Sequence, residues 1–126
     1  MKAKEARKYM GQMMKGVRRS KYGVRLDAAG KAARTVDGIL FDSLREARRW
    51  VVLRQLERTG EIHELTRQPK FPLAVDGVHL GHYKADFSYR RDGQYICEDA
   101  KGVLTPLFKW KLKHVFAQYQ IKVELV

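Results

Sequence analysis

Two Asp-Gly pairs, Asp76-Gly77 and Asp92-Gly93, bracket a stretch of alternating residues at 80–91. Asp-Gly between strand-forming runs is a strong short-range hairpin signal, because the tight hairpin turn needs positive φ at both central positions. Three successive strands are therefore expected at 71–75, 80–91 and 94–101, joined as antiparallel hairpins, with a shorter strand before them at 62–65. In the 80–91 strand Tyr83, Ala85, Phe87 and Tyr89 share one face, while His82, Lys84, Asp86, Ser88 and Arg90 share the other. The run Tyr95-Ile96-Cys97 reads as a buried strand that closes on Asp99-Ala100-Lys101.

Helices are expected on either side. SLREARRWVVLRQLERT, residues 43–59, ends at Gly60 and carries apolar residues around most of its circumference, which predicts a largely buried helix. Thr105-Pro106 opens a second helix over 107–119, with proline near its first position. A last strand is expected at 121–126. The order helix, three hairpin-linked strands, helix, strand predicts an α/β fold, a mixed central sheet flanked by helices.

The 126 residues suit one domain with a core of its own. The net charge of +12 is uneven. Residues 1–34 hold eleven Lys/Arg against two acids, a net of +9; the other 92 hold fifteen basic groups against twelve acidic ones. Glycines punctuate 16–38, with a short strand expected at Thr35-Val36 and a turn at Asp37-Gly38. The chain thus reads as a basic arm, 1–35, ahead of a nearly balanced body, 36–126. A basic leader suits a polyanionic partner, and a solubilising tail is the plainer alternative. Cys97 is the only cysteine, so no intrachain disulfide or thiolate cluster can form, which fits a reducing cytoplasm. No apolar stretch reaches membrane-spanning length, and the first residues lack the apolar core of a secretory signal. No Walker loop or dinucleotide fingerprint is present, so no nucleotide cofactor is expected. His79-x-x-His82 lacks the second ligand pair of a zinc site.

The acids carry the chemistry. Asp99 and Lys101 are two apart on a strand and project to one face, whereas Glu98 projects to the other. Register across the Asp92-Gly93 turn puts Asp86 opposite Asp99. Two facing carboxylates repel unless a cation lies between them or lysines neutralise them. Glu46 lies on the apolar flank of the first helix, which admits two readings. Ser43-x-x-Glu46 is a capping box; alternatively Glu46 joins the other acids at a site.

The strings FDSLREARRW, GEIHELTRQPKFPL, HYKADFSY and YICEDAKG, in that order, resemble the PD-(D/E)XK nuclease superfamily. The chain looks closest to small phage-encoded endonucleases that open with F-D-S-x-x-E-A. It also resembles the nuclease subunit of some cut-and-paste transposition systems, which share the helix glutamate, the Gln-Pro and the Y-x-x-D-F strand. The spacing from Asp86 to Asp99 resembles that of archaeal-type Holliday-junction resolvases. The likeness covers about residues 36–126; Ala85 stands where the proline of the family name would stand. It implies a restriction-endonuclease-like core (α-β-β-β-α-β) and catalytic roles for Glu46, Asp86, Asp99 and Lys101. Gln68, in the recurring Gln-Pro, and Glu98 are secondary candidates.

The leading expectation is a Mg²⁺-dependent DNA endonuclease, with Mn²⁺ as a substitute, acting in phage recombination or DNA processing. Asp86, Asp99 and the Ala100 carbonyl would hold the metal, Glu46 would complete the metal site or orient a water, and Lys101 would position the attacking water. Phosphates would be met by Arg18, Arg19, Lys21, Arg25, Arg45, Arg49, Lys109 and Lys113. With no base-reading module in view, branched DNA such as a Holliday junction is the expected substrate, and symmetric cutting implies a homodimer. A non-catalytic nucleic-acid-binding protein, using the basic leader with Trp50, Trp110 and tyrosines, is the second reading. Sequence-specific and RNA-directed nucleases are further alternatives.

Overall fold

The structure is a computed structural model that describes residues 18–20, 23–100 and 104–126. It divides into two compact units, Met1–Ala47 and Arg48–Val126.

The first unit is organised by Arg34. Helix α1 (Ala28–Ala33) begins at Asp27, whose carboxylate accepts the Gly30 N–H at 2.9 Å. Strands β1 (Thr35–Val36) and β2 (Ile39–Leu40) form a hairpin over Asp37-Gly38, where φ is 52° and 75°. Arg34 is 5% exposed and donates from Nε to the Phe41 carbonyl at 3.0 Å and from Nη1 to the Arg25 carbonyl. The sequence placed no helix here, because six residues including a glycine cannot hold a helix alone. The Asp27 cap and the close approach of Arg25 to Gly30 supply what propensity lacks: a Cβ on Gly30 would meet the Arg25 Cβ at 2.5 Å.

Helix α2 (Leu44–Arg58) starts at Ser43, whose Oγ accepts the Glu46 N–H at 3.1 Å. The expectation of a largely buried helix does not hold. Ala47, Trp50 and Leu53 are buried along one stripe, and Val51 (51%) and Val52 (46%) are exposed. The three-residue spacing of these buried positions keeps them on one side of the helix, as in a helix lying on a surface.

In the second unit β3 (His63–Arg67), β6 (Phe87–Arg91), β7 (Gln94–Asp99) and β8 (Glu124–Leu125) form one mixed sheet in the order β3-β6-β7-β8. β4 (Lys70–Val75) and β5 (Val78–Lys84) form a separate antiparallel hairpin. The Asp-Gly turns fall where expected: Asp76 and Gly77 have φ of 50° and 77°, Asp92 and Gly93 of 52° and 76°. β8 joins β7 in parallel, pairing Glu98 with Glu124 and Asp99 with Leu125. The architecture is therefore mixed α/β, with a mixed multi-strand sheet and helices. Among the described residues five strands, not three or four, separate α2 from the last helix, α3 (Pro106–Tyr119).

The expected 80–91 strand is broken. Ala85 and Asp86 leave β5 and enter β6 through a bend, and the break reassigns the apolar faces. Tyr83 and Ala85 join Leu73, Cys97 and Val115 in one core cluster, against which Phe108, Leu112 and Tyr119 of α3 pack. Phe87 instead meets Trp50 of α2, with ring centroids 6.0 Å apart. Glu57 ties α2 to the sheet by accepting the Leu65 N–H at 3.2 Å. Thr105 caps α3, its Oγ1 accepting the Phe108 N–H at 3.1 Å.

Candidate functional site

The bend sets Asp86 at the junction of hairpin and sheet. Its N–H donates to the Glu98 carbonyl at 3.2 Å, and its carbonyl accepts the Gln68 N–H at 2.9 Å. The first bond continues the β6–β7 register, Phe87 opposite Glu98 and Ser88 opposite Cys97, by one residue. Asp86 and Asp99 thus come to the same end of the ladder, as the turn arithmetic requires. Their carboxylates have separate protein partners. Asp86 Oδ2 accepts the Ala100 N–H at 2.8 Å. Asp99 is 1% exposed, and its Oδ2 accepts from the Tyr83 hydroxyl. Its carbonyl is held by the Val126 N–H at 3.0 Å.

Asp99 Oδ1 is buried and has no hydrogen-bond partner among the described residues. Buried polar atoms in folded proteins are nearly always satisfied, so this oxygen calls for a water or a cation. Burial, and then the bond to Asp99, push the Tyr83 phenol far above its ordinary value. The phenol therefore remains a hydrogen-bond donor at neutral pH. Burial also pushes the Cys97 thiol up to about 12, and the charges of Asp99, Glu98 and Asp86 add to it. Among the described residues no group of three or more His, Cys, Asp or Glu side chains converges in a way that could hold a metal. Glu46 belongs to the first unit, where its N–H caps on Ser43. Lys101 lies outside the described residues, as does Lys21.

Gln68 adopts φ of 52° between β3 and β4. Its N–H on Asp86, with the Ala85 N–H on the Pro69 carbonyl at 3.1 Å, stitches the bend to this crossover. Its visible contribution is a main-chain one. Glu98 faces away from Asp99, as strand alternation predicted, and is fully buried. Arg49 Nε and Nη2 donate to its two oxygens at 2.6 and 2.9 Å, and the Tyr89 hydroxyl donates to Oε2 at 2.9 Å. Burial and this bond push the Tyr89 phenol up to about 12, and Glu98 holds the Arg49 guanidinium above its usual range.

Two expected roles therefore change. Arg49, proposed for phosphate contact, is committed to Glu98 in a bidentate pair with 28% of its side chain exposed. Trp50, proposed as a stacking platform, is in the core. Trp110 on α3 is 51% exposed, and Lys109 and Lys113 are exposed on the same helix. Arg18, Arg19, Arg25 and Arg45 are exposed as well. Arg19 donates to the Gly23 carbonyl at 3.0 Å and Arg25 to Asp27 at 2.5 Å; with Arg34 they border a cleft of about 280 Å³ in the first unit. The sequence reading missed Tyr83 as a partner of Asp99, although the Y-x-x-D-F string contained it.

The family described as "Protein of unknown function (DUF1064)" matches residues 19–126, and the chain belongs to it. No curated protein and no solved structure matches the chain. No helix among the described residues is long and apolar enough to cross a membrane.

Proposed function

We propose that this protein is a divalent-metal-dependent DNA endonuclease of restriction-endonuclease-like fold that hydrolyses phosphodiester bonds, with branched DNA as its preferred substrate. The observation that carries the reading is the buried, unpartnered Oδ1 of Asp99 beside the Asp86-bound Asp99-Ala100 peptide. A carboxyl oxygen held out of water without a partner is costly, and a bound cation removes that cost. Two carboxylates and a main-chain carbonyl are hard oxygen donors, the set that suits Mg²⁺ or Mn²⁺. Asp86, Asp99 and the Ala100 carbonyl would hold the ion, which when bound would acidify a water and offset charge on the phosphate. Tyr83 orients Asp99, and the Ala100 N–H orients Asp86, so neither carboxylate has to reorganise as substrate arrives. In this reading Lys101 would position the attacking water. Paired cuts in opposing strands of a junction call for two such sites, hence a homodimer. The cytoplasm is the proposed compartment, in keeping with a lone buried thiol.

A second reading, a non-catalytic DNA-binding protein, is favoured by the lack of a three-residue metal cluster among the described residues. One experiment separates the two. Four-way junction, fork and linear duplex of matched sequence are incubated with Mg²⁺, Mn²⁺ or EDTA, using wild type, Asp86→Asn and Asp99→Asn. Metal-dependent cutting lost in both variants supports the nuclease. Binding without cutting under every condition supports the second reading. Equal rates on all three DNAs remove the junction preference alone.

A further inference from the structure

The β4–β5 hairpin carries a concentration of positive charge that the proposed chemistry does not use. Lys70 and Lys84 are direct cross-strand partners, and two residues further out, past the Phe71–Tyr83 rung, Pro72 pairs with His82. Like charges placed opposite each other on a ladder oppose pairing. Lys111 reaches over from α3, its Nζ donating to the His82 carbonyl at 3.2 Å. Three elements thus bring Lys70, Lys84, His82 and Lys111 together. Lys70, His82 and Lys84 are exposed and Lys111 is half-buried. Among the described residues none of the four forms an ion pair with an acid. The imidazole registers the crowding: Lys70 foremost, then slight burial, then Lys111, His79 and Lys84, hold His82 below its ordinary value.

The charges are also placed usefully. The rung Lys70–Lys84 adjoins the Pro69–Ala85 bond, and the next main-chain bond inward is Gln68 to Asp86. The stripe therefore begins two residues from Asp86 and runs outward along the hairpin. Three lysines without acid partners among the described residues, with the His82 imidazole between them as a hydrogen-bonding group, match a repeating anion better than a single one.

We infer that Lys70, Lys84, His82 and Lys111 form a docking stripe for the phosphodiester backbone of duplex DNA, leading along the β4–β5 hairpin toward Asp86. The inference takes its partner from the proposed function but not the cleavage, so it is tested without catalysis. Binding of a fluorescent duplex is measured by anisotropy in EDTA across a salt series, for wild type and Lys70→Gln/Lys84→Gln/Lys111→Gln. Each lost phosphate contact removes about 0.9 from the slope of log affinity against log salt, so the triple variant should be shallower by about 2 to 3. A control triple, Arg48→Gln/Arg58→Gln/Lys122→Gln, removes equal charge elsewhere and should change the slope by less than half as much. Thermal melting keeps the test fair. Relief of the Lys70–Lys84 repulsion should leave the free triple variant as stable as wild type or more so. An unchanged slope, or equal changes in the two triples, overturns the inference. So does a triple variant whose weaker binding comes with a lowered Tm, since the lysines would then be supporting the fold. Loss of cutting by Asp86→Asn with the slope intact would bear on the nuclease alone.

Discussion

Arg49→Ala should be among the most damaging single substitutions outside the apolar core. Glu98 is fully buried, and among the described residues its carboxylate receives two of its three hydrogen bonds from the Arg49 guanidinium, at 2.6 and 2.9 Å. Deleting one member of a buried ion pair costs about 3–5 kcal/mol, because the remaining charge keeps its desolvation penalty and loses its compensation. Two features of this pair pull toward the lower end. Arg49 is 28% exposed, so water can follow the truncated side chain, and the Tyr89 hydroxyl stays on Oε2. The expected loss is therefore about 3 kcal/mol. For a unit of this size each kcal/mol moves Tm by about 4–8 °C, which predicts a fall of about 12–24 °C. Glu98→Ala should cost less, about 1–2 kcal/mol, since the freed guanidinium lies near solvent. Replacing both residues by leucine should recover most of the loss, because no buried charge is left. Urea unfolding followed by tryptophan fluorescence suits the measurement, Trp50 being packed beside the pair on Phe87. The m value should not change. An Arg49→Ala protein within about 0.5 kcal/mol of wild type, the range of neutral surface changes, would refute this account. So would weakened DNA binding at unchanged stability, which would return Arg49 to a phosphate-contacting role.

Other outcomes follow from the same contacts. Mg²⁺ at about 100 times its Kd should stabilise the wild type by about 2.7 kcal/mol and leave Asp99→Asn nearly unaffected, as read by thermal melting without any nucleic acid. Tyr83→Phe strips Asp99 Oδ2 of its donor and should cost about 1–3 kcal/mol in urea unfolding. Gly30→Ala should destabilise the first unit by about 1–3 kcal/mol, because the new methyl overlaps Arg25; a melt identical to wild type would show that this approach can relax. Lys101→Ala should lose most cleavage while retaining the Mg²⁺-induced rise in Tm, and Lys101→Arg should not restore the rate, since a planar fork replaces a compact charge.

Local chemistry made much of the sheet legible. Asp76-Gly77 and Asp92-Gly93 fixed two hairpins, and Ser43 and Thr105 marked two helix starts, because each signal acts within a few residues. The bend at Ala85-Asp86 was not legible. Alternation from Tyr83 to Tyr89 is unbroken in the sequence, and only the partners across space, Val115 for one half and Trp50 for the other, show that two faces are being filled. The same limit explains Arg49. An arginine on a basic helix looks like a phosphate ligand until a buried glutamate 49 residues later claims it. Strand parity alone separates Asp99 from Glu98, and because β7 is regular up to its end the two carboxylates take different partners, Tyr83 for one and Tyr89 for the other.

The bend at Ala85-Asp86 also makes the hairpin an appendage that can change length in steps. Outward of the Leu73–Gly81 rung, residues could be added or removed in cross-strand pairs without disturbing the β6–β7 register that aligns Asp86 with Asp99. Inward of it no such freedom exists, since one extra residue between Tyr83 and Phe87 would turn either the Leu73 cluster or the Trp50 contact inside out. Descendants of this chain could therefore trade one reach along a bound molecule for another at the hairpin tip, while the acids stayed where they are.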